Sequence, residues 1–460
     1  MTAGKRINER LTPARDTEMT DKRHIPRALS VPSGRVSRFT RLGAMTAGVA
    51  GNMAVNGLNQ LVKGQRPAMR DLLMTSQNIS RVTEKLAQMR GAAMKIGQLM
   101  SMDSGEFLPP ELAQIMARLR DDAHVMPPAQ LKKVLNANWP NGWLGQFAHF
   151  DVRPIAAASI GQVHRARLKD GAELAIKVQY PGVAQSIDSD VANVGALLRM
   201  SGLLPKGFEL APYLEEARKQ LHLETDYVHE GQNLALFGRL LADAPVFAVP
   251  THFPEWSTRQ ILAMSFVEGA PIEAAFTQPK PERDRIADAL IGLTLRELFD
   301  DGLMQTDPNF ANYRYDAVTG RIILLDFGAT RVLDPVVIDQ YRRLLAAGLS
   351  GDVLAMGKIA EEIGFLATDT AHQHRAAIMD MMGMAFAALR QNGPFDFTDK
   401  ALPRAMQAAG MALAEDGFVP PPLPIDVLLL QRKFGGMFLL ASQLGAQVDL
   451  HGYLQRYTGV

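Results

Sequence analysis

The sequence of 460 residues contains no cysteine, which excludes disulfide bonds, thiolate metal sites and a cysteine nucleophile. It also lacks an excess of charge of either sign, because its formal net charge at pH 7 is +1. We therefore expect no general attraction to nucleic acid. The hydrophobic content of 47% and the charged content of 21% are ordinary for a globular protein. A chain of this length can form two or three domains.

The first 41 residues are basic and show little apolar periodicity. They contain ten Lys or Arg against four Asp or Glu, with scattered Ser, Thr and Pro. This composition predicts a disordered basic tail over residues 1–41. A mitochondrial targeting peptide is the alternative, and four acidic residues argue against it: Glu9, Asp16, Glu18 and Asp21.

The next segment, residues 42–64, begins with the uncharged stretch "LGAMTAGVAGNMAVNGLNQLV". The stretch is about long enough to cross a bilayer, although its Asn, Gln and Thr residues weaken that interpretation. Small residues at such spacings allow close contact between helices. We predict an apolar helix that packs on its own protein or lies at a membrane surface, with a true membrane span as the alternative.

Residues 65–150 are predicted to form a helical extension. Apolar side chains recur there at helical spacing, for example Val82, Leu86 and Met89. Pro109-Pro110 and Pro127-Pro128 interrupt the pattern, and each pair can begin a new helix.

Near residue 150 the pattern changes from helical to strand-like. The stretch "SIGQVHRARLKDGAELAIKVQYPG" contains two β-rich runs joined by Lys169-Asp170-Gly171-Ala172, which predicts a hairpin. After residue 334 the pattern is helical again. We therefore predict an α+β fold with a small β-rich lobe over 151–270 and a large helical lobe over 271–460.

Lys177 lies in the strand-like run "LAIKV", where a charge among apolar neighbours needs a partner. The preceding stretch, "AAASIGQVHRA", predicts a strand, an Ala-rich turn and a second strand. This order is typical of a kinase-like small lobe, which covers nucleotide phosphates and holds them with a strand lysine. We predict Glu224, in "LHLETDY" on the following helix, as the partner of Lys177.

The stretch "FDDGLMQTDPNFANYRYDAVTGRIILLDFGATR" (299–331) contains three side chains that can bind a metal ion. Asn312 follows Asp307 by five residues, and Asp326 follows Asn312 by fourteen and begins Asp326-Phe327-Gly328. Oxygen ligands of this kind suit Mg²⁺, which bridges phosphate oxygens. Together with Lys177, the order of these residues predicts phosphoryl transfer from a nucleotide.

Taken together, these motifs resemble the UbiB family of atypical protein-kinase-like proteins, also called the ADCK or coenzyme Q8 family. The resemblance covers about residues 70–460 and implies a two-lobed kinase-like fold with an N-terminal helical extension. It rests on "KIGQ" (95–98), "AAASIGQVH" (156–164), "LAIKVQYPG" (174–182), "ETDY" (224–227), "MQTDPNFANY" (304–313), "LLDFGATR" (324–331) and the C-terminal "PFDF" and "RKFGG" segments.

The resemblance also implies roles for individual residues. Lys177 would contact the phosphates of ATP with Glu224 orienting it, and Asp307 would occupy the position of the catalytic base. Which of Glu224 and Asp226 pairs with which lysine stays open. The remaining expected residues are the Mg²⁺ ligands Asn312 and Asp326, the nucleotide-loop residues Ala156, Ala157, Ala158, Ser159 and Gly161, and Lys95 and Gln98 on a helix that folds over the site and is anchored by Asp226.

Two departures from ordinary protein kinases bear on the acceptor. Ala156, Ala157 and Ala158 stand where glycines would let the loop approach the phosphates, so the nucleotide geometry should differ. No Ala-Pro-Glu segment or long activation loop follows Asp326-Phe327-Gly328. We therefore expect poor phosphorylation of other proteins, and ATP hydrolysis or transfer to a small lipid-like acceptor. The alternative is a non-catalytic, nucleotide-switched scaffold for biosynthetic enzymes.

The resemblance finally implies a role in ubiquinone (coenzyme Q) biosynthesis at a membrane. The expected partners are ATP, a quinone precursor or lipid, an anionic membrane surface, enzymes of ubiquinone biosynthesis and a second copy of the chain. The expected location is cytoplasmic and peripheral at the inner membrane, with the matrix face of the mitochondrial inner membrane as the alternative.

Overall fold

The structure, a computed structural model, describes residue 86 and residues 89–103, 125–201, 210–391 and 393–459. The predicted basic tail and the predicted apolar helix at 42–64 both lie outside these residues. Among the helices that are described, none combines the length and the apolar character that crossing a membrane requires.

The N-terminal half of the described chain contains five helices around one antiparallel sheet. The first of them, which carries the "KIGQ" motif, buries Ala92, Ala93 and Ile96 against the third and fourth helices. The helices are α1 (Arg90–Asp103), α2 (Pro128–Asn138), α3 (Val183–Ser201), α4 (Ala211–Glu224) and α5 (Tyr227–Leu240).

Most strands are short, and the two longest form the hairpin that the sequence predicts. The strands are β1 (Phe147–Phe150), β2 (Ala156–Ala157), β3 (Gly161–Leu168), β4 (Glu173–Gln179), β5 (Phe247–Ala248), β6 (Ile261–Ser265), β7 (Ala270–Pro271), β8 (Leu303–Gln305), β9 (Tyr313–Asp316), β10 (Arg321–Leu324), β11 (Thr330–Val332), β12 (Phe395–Asp396) and β13 (Gln447–Val448).

The small-lobe sheet has the strand order β1-β3-β4-β6, with β2 paired to the start of β3. Gly171 turns the β3–β4 hairpin at φ +96°, a conformation that glycine adopts without strain. Leu174, Ile176 and Val178 alternate along β4 and are fully buried on one face. Because side chains alternate along a strand, this register directs Lys177 to the opposite face, towards α5.

The large lobe is mostly helical and holds a second sheet of order β5-β10-β9-β7. Strand β8 pairs with β11, and this pairing places the segment before Asp307 beside the segment after Asp326. The helices are α6 (Lys280–Phe299), α7 (Pro335–Ser350), α8 (Val353–Ile363), α9 (His372–Leu389), α10 (Ala401–Glu415), α11 (Ile425–Leu444) and α12 (Leu450–Thr458).

The ends of α7 follow from local sequence. Asp334 accepts a hydrogen bond from the backbone N–H of Val336 (2.9 Å), and Pro335 occupies the first helical position, where no N–H is needed. Gly351 ends the helix at φ +78°. As a result α7 begins only seven residues after Gly328.

Gly348 permits close packing of α7 against α9, since a Cβ atom there would lie 2.3 Å from the ring of Phe386. We expect Gly348→Ala to lower the free energy of unfolding by about 1–3 kcal/mol, because the added methyl group must displace the buried Phe386 ring or the helix backbone. Gly383→Ala is the matched control, because it lies on α9 with nothing within 4 Å of its Cβ position and should be neutral or stabilising by up to about 1 kcal/mol. Urea unfolding of both variants tests this, and equal effects would contradict it.

His164 on β3 is fully buried in a chain of hydrogen bonds. Its Nδ1 donates to the carbonyl oxygen of Asp151 (2.8 Å), and its Nε2 accepts from the amide of Gln162 (2.8 Å). Gln162 Oε1 in turn accepts from the backbone N–H of Met126 (2.7 Å). Burial lowers the pKa of His164 from its ordinary value of 6.5, so the imidazole is held neutral.

A pH dependence of stability follows from this neutral His164. Below pH 6.5 the unfolded chain binds a proton that the folded chain excludes, so the free energy of unfolding should fall by up to about 1.4 kcal/mol per pH unit. His164→Gln should remove this component. The measurement is urea unfolding of both proteins at several pH values. If their free energies of unfolding differ by the same amount at every pH, the assignment is refuted.

Candidate active site

Lys177 on β4 is the centre of the site. Its Nζ lies 2.7 and 3.0 Å from the two carboxylate oxygens of Glu230 on α5 and 3.2 Å from Oδ2 of Asp326. The side chains of Lys177 and Glu230 are 10% and 4% exposed, so each charge depends on the other. Burial alone would lower the pKa of Lys177, but Asp326 and Glu230 outweigh it and raise that pKa well above 10.5.

The prediction that Glu224 pairs with Lys177 is wrong, because Glu230 holds that place. Helix α4 ends at Glu224, and the helical conformation is interrupted at Thr225 and Asp226 before α5 begins. The break directs the first turn of α5, which carries Glu230, towards the sheet. Glu224 forms a buried ion pair with Lys95 on α1.

The resemblance implied that Asp226 anchors the helix that carries Lys95, but among the described residues its contacts lie elsewhere. It caps the N-terminus of α5, where its carboxylate accepts hydrogen bonds from the backbone N–H groups of Val228 (3.1 Å) and His229 (3.3 Å). Asp226 therefore stabilises the helix that presents Glu230, and Glu224 is the residue that joins α1 to the small lobe.

Asp307 and Asn312 lie in a loop that is tied to the segment after Asp326. Asn312 Nδ2 donates to the backbone oxygen of Asp307 (3.1 Å) and to its Oδ2 (3.3 Å). A 3₁₀ turn over Phe310–Asn312, capped by Asn309, sets this geometry. Gln305 Nε2 donates to the carbonyl oxygen of Asp326 (3.2 Å). The structure thus brings together the four predicted residues Lys177, Asp307, Asn312 and Asp326.

Phe327 fixes the Asp326-Phe327-Gly328 segment against α5. It is 3% exposed, its ring lies 4.7 Å from that of Phe237, and its carbonyl oxygen accepts from Asn233 Nδ2 (3.2 Å). The backbone N–H of Gly328 donates to Asp326 Oδ1 (3.0 Å). Helix α5 therefore positions both carboxylates that face Lys177.

The Ala-rich segment forms a short strand and a tight turn. Ala156 and Ala157 pair with β3, and the backbone N–H of Ala158 donates to the carbonyl oxygen of Gly161 (2.8 Å). Ser159 and Ile160 form the tip. Gly161 is needed for packing, because a Cβ atom there would lie 2.5 Å from the carbonyl oxygen of Val178.

The tip of this turn contacts α1. Ile160 is 3% exposed and belongs to the same apolar cluster as Ala93 and Ile96. Lys95, one residue before Ile96, is buried beside Glu224. The side chain of Gln98 lies outside the described residues, so its predicted role stays a prediction. The helical extension therefore holds the predicted nucleotide loop from one side.

The predicted Mg²⁺ ligands, Asn312 and Asp326, have the oxygen donors that a magnesium–nucleotide complex uses. In the described ranges no three His, Cys, Asp or Glu residues cluster as a metal site. The carboxylate of Asp326 contacts Lys177, and its side chain is still 40% exposed. The side-chain amide nitrogen of Asn312 donates to Asp307, so its amide oxygen is the atom that could bind a metal ion. Mg²⁺ commonly takes one or two protein oxygens, with water and phosphate as its other ligands, and this pair supplies such a set.

Helix α11 contributes residues that the sequence analysis did not assign. Arg432 Nη2 lies 2.5 Å from Asp307 Oδ1, and Lys433 Nζ donates to the carbonyl oxygen of Gln305 (2.8 Å). A Cβ atom on Gly436 would lie 2.4 Å from Pro308. The available signal was "RKFGG" itself, in which two cations and two glycines interrupt an apolar helix.

Lys433 is a second buried cation of the site. It is 2% exposed and lies 3.4 Å from the carboxylate of Glu297, which is equally buried, on α6. Its Nζ also lies 3.2 Å from the hydroxyl of Tyr313. The attraction of Glu297 outweighs burial and raises the pKa of Lys433. Through the contact with Gln305, this pair supports β8, the strand that precedes Asp307.

Comparisons with known proteins find similarity to atypical kinase-like proteins. Residues 118–360 match the ABC1 atypical kinase-like domain. The chain is 37% identical over 430 residues to the mitochondrial atypical kinase COQ8 of Saccharomyces cerevisiae, covering 93% of this chain and 85% of that protein. It is 35% identical over 456 residues to the mitochondrial atypical kinase COQ8B of Rattus norvegicus, covering 97% and 84%.

A solved structure supports the fold. The complex of Rv3197 with erythromycin from Mycobacterium tuberculosis matches with a TM-score of 0.58 and 24% identity, covering 82% of this chain and 95% of that chain. The predicted kinase-like α+β fold and the predicted family are thereby confirmed.

The corrected pairing can be tested by two double-mutant cycles. We expect Lys177→Met and Glu230→Gln to couple by about 1.5–3 kcal/mol in the free energy of unfolding, because either change alone leaves a buried charge without its partner. Lys177→Met and Glu224→Gln should couple by less than about 0.5 kcal/mol, since Glu224 contacts Lys95. Urea unfolding of the single and double variants measures both terms. A larger coupling energy between Lys177 and Glu224 than between Lys177 and Glu230 would contradict the pairing in the structure.

Proposed function

Because this chain belongs to the UbiB/ADCK family of ABC1 atypical kinase-like proteins, we propose that it binds ATP with Mg²⁺ and transfers the terminal phosphoryl group to water or to a small acceptor. The observation that carries the proposal is the convergence of Lys177, Glu230 and Asp326 beside the loop that holds Asp307 and Asn312. Such a cluster has the charges that phosphoryl transfer requires.

Each residue has a role that follows from its contacts. Lys177 holds phosphate oxygens and is kept charged and aimed by Glu230. Asp307 takes the proton of the attacking hydroxyl group or water as a general base. Asn312 and Asp326 are the residues that would hold Mg²⁺, which when bound offsets negative charge on the phosphates. Asn312 also orients Asp307 through its amide.

A small acceptor is favoured over a protein substrate by two features. Helix α1 is fastened to the small lobe by the buried Lys95–Glu224 ion pair and packs against the loop tip at Ile160. In addition, α7 begins at Pro335, seven residues after Gly328, so the chain has no room for the platform that binds peptides in protein kinases.

The pathway is proposed from the relatives. The proteins of yeast and rat to which this chain is similar are named COQ8 and COQ8B atypical kinases and are mitochondrial by name. We place this chain in support of coenzyme Q biosynthesis, peripherally at a membrane, with a quinone precursor or lipid as the small partner. Biosynthetic enzymes and a second copy of the chain are further partners in this proposal.

The test is ADP release from MgATP by the full chain, with and without anionic liposomes. We expect turnover that rises with liposomes. Asp326→Asn should reduce it by about 10²-fold or more, because Asp326 is both a proposed Mg²⁺ ligand and a partner of Lys177, and the amide carries no charge. Asp339→Asn is the control, because Asp339 forms an exposed ion pair with Arg343 within α7. Undiminished hydrolysis in Asp326→Asn would falsify the assignment. Tight nucleotide binding without turnover in any condition would favour the scaffold alternative.

A further inference from the structure

The carboxylate of Asp307 has both of its oxygens engaged. Oδ1 contacts Arg432 Nη2 at 2.5 Å, and Oδ2 accepts from Asn312 Nδ2 at 3.3 Å. Each carboxylate oxygen has two lone pairs, so each keeps one that can accept the proton of the acceptor. Asn312 is held in place by its own 3₁₀ turn and by a second hydrogen bond to the backbone of Asp307. Arg432 reaches Asp307 from a separate helix through its side chain, so it is the partner that can exchange Oδ1 for another anionic oxygen.

Arg432 is placed to do more than neutralise Asp307. Its side chain is 13% exposed, whereas that of its neighbour Lys433 is 3% exposed and faces Glu297. A guanidinium group carries five N–H donors in a planar fork. Among the described residues one of them reaches Asp307, and the others can donate to an anionic oxygen that enters beside the carboxylate.

The other cations of the site, in the part of the chain that the structure describes, already have fixed partners. Lys177 is held by Glu230 and Asp326, and Lys95 by Glu224. Arg314 donates to the carbonyl oxygen of Gly269, away from the loop. In the proposed function the acceptor lies beside Asp307, so Arg432, which contacts Asp307, is a cation placed next to the transferred phosphoryl group.

Helix α11 holds this guanidinium on a rigid support. Gly436, one turn further along, brings the helix into contact with Pro308, next to Asp307. At the start of the helix, Asp426 forms a 2.6 Å ion pair with Arg331, which follows Asp326-Phe327-Gly328. Arg331 Nη1 also lies 3.6 Å from Glu216 on α4. The helix is therefore fixed relative to both halves of the site.

We propose that Arg432 is a further catalytic residue, which moves from Asp307 Oδ1 onto the phosphoryl group during transfer; this inference rests on the proposed function. In the step, the bond between the terminal phosphorus and the bridging oxygen breaks, and ADP leaves with the electron pair. A bond forms from the acceptor oxygen to phosphorus, and the acceptor proton passes to the freed Oδ1 of Asp307. One side-chain movement thus supplies charge to the transition state and releases the base.

The experiment compares Arg432→Gln, Arg432→Lys and Arg432→Ala in the full chain, with MgATP as substrate. kcat and KM are measured from ADP release, and the affinity for MgADP is measured separately. Arg375→Gln is the matched control, because Arg375 forms a comparable ion pair with Glu361 between α9 and α8. Thermal unfolding of every variant shows that the fold is retained. The alanine variant is also assayed with millimolar guanidinium ion.

We expect Arg432→Gln to lower kcat by about 10²- to 10³-fold, as for removal of one transition-state donor, with MgADP affinity within about threefold of the parent. Arg432→Lys should retain part of the activity, because it keeps the charge but not the fork. Guanidinium ion should restore turnover to Arg432→Ala and have no such effect on the control. A residue that only supported the fold would show no rescue.

Other outcomes overturn the inference. If the parent hydrolyses ATP and Arg432→Gln keeps its kcat within about twofold, Arg432 does not touch the phosphoryl group. Increased turnover in Arg432→Gln would mean that the arginine only restrains Asp307. If the parent itself shows no turnover with or without anionic liposomes, the proposed function fails and this role fails with it, so the two failures are distinct.

Discussion

The rest of the structure depends on the burial of the Lys177 charge. A lysine on a central strand, with apolar neighbours on both sides in sequence, can stay charged only if carboxylates come to it. Glu230 comes from α5 and Asp326 from the large lobe. Satisfying one buried cation therefore fixes the position of α5 against the sheet and of the Asp326-Phe327-Gly328 segment against α5. The two lobes meet at this point.

The large lobe repeats the same arrangement beside the loop from Asp307 to Asn312. Lys433 on α11 is buried against Glu297 on α6, and its ammonium group also holds the carbonyl oxygen of Gln305. Each lobe thus contains a buried Lys–Glu pair, one on each side of the loop from Asp307 to Asn312. Removing a single member of such a pair is costly, because it leaves an uncompensated charge in a region of low dielectric. We interpret the two pairs as supports that hold the side chains of the proposed site in position.

The helical extension is joined to this centre by charge and by packing. Lys95 pairs with Glu224 at the end of α4, and Ile160 at the tip of the Ala-rich turn packs into the same apolar cluster as α1. In an ordinary protein kinase the corresponding loop moves over the phosphates with glycine flexibility. Here alanine restricts the backbone and α1 contacts the tip. The tip of the loop and the extension therefore share one apolar cluster.

Much of the site could be predicted from the sequence, because its motifs are short and local. The hairpin around Gly171, the strand position of Lys177 and the spacing of Asp307, Asn312 and Asp326 are set by neighbours in the chain. Strand alternation and turn chemistry act over a few residues. These features pointed to a kinase-like α+β fold, and the structure and the comparisons agree.

The pairing of charges was decided by tertiary structure alone. Glu224 and Glu230 are six residues apart, and nothing local indicates which of them faces Lys177. The helix break at Thr225 and the cap at Asp226 decide it by redirecting the chain. Arg432 reaches Asp307 across 125 residues of sequence. The sequence by itself pointed to Lys177, Asp307, Asn312 and Asp326 as residues of the proposed site, since residue type and local spacing encode them. Which carboxylate pairs with which cation depends on how helices that are separate in sequence pack together, and local sequence patterns do not specify that packing.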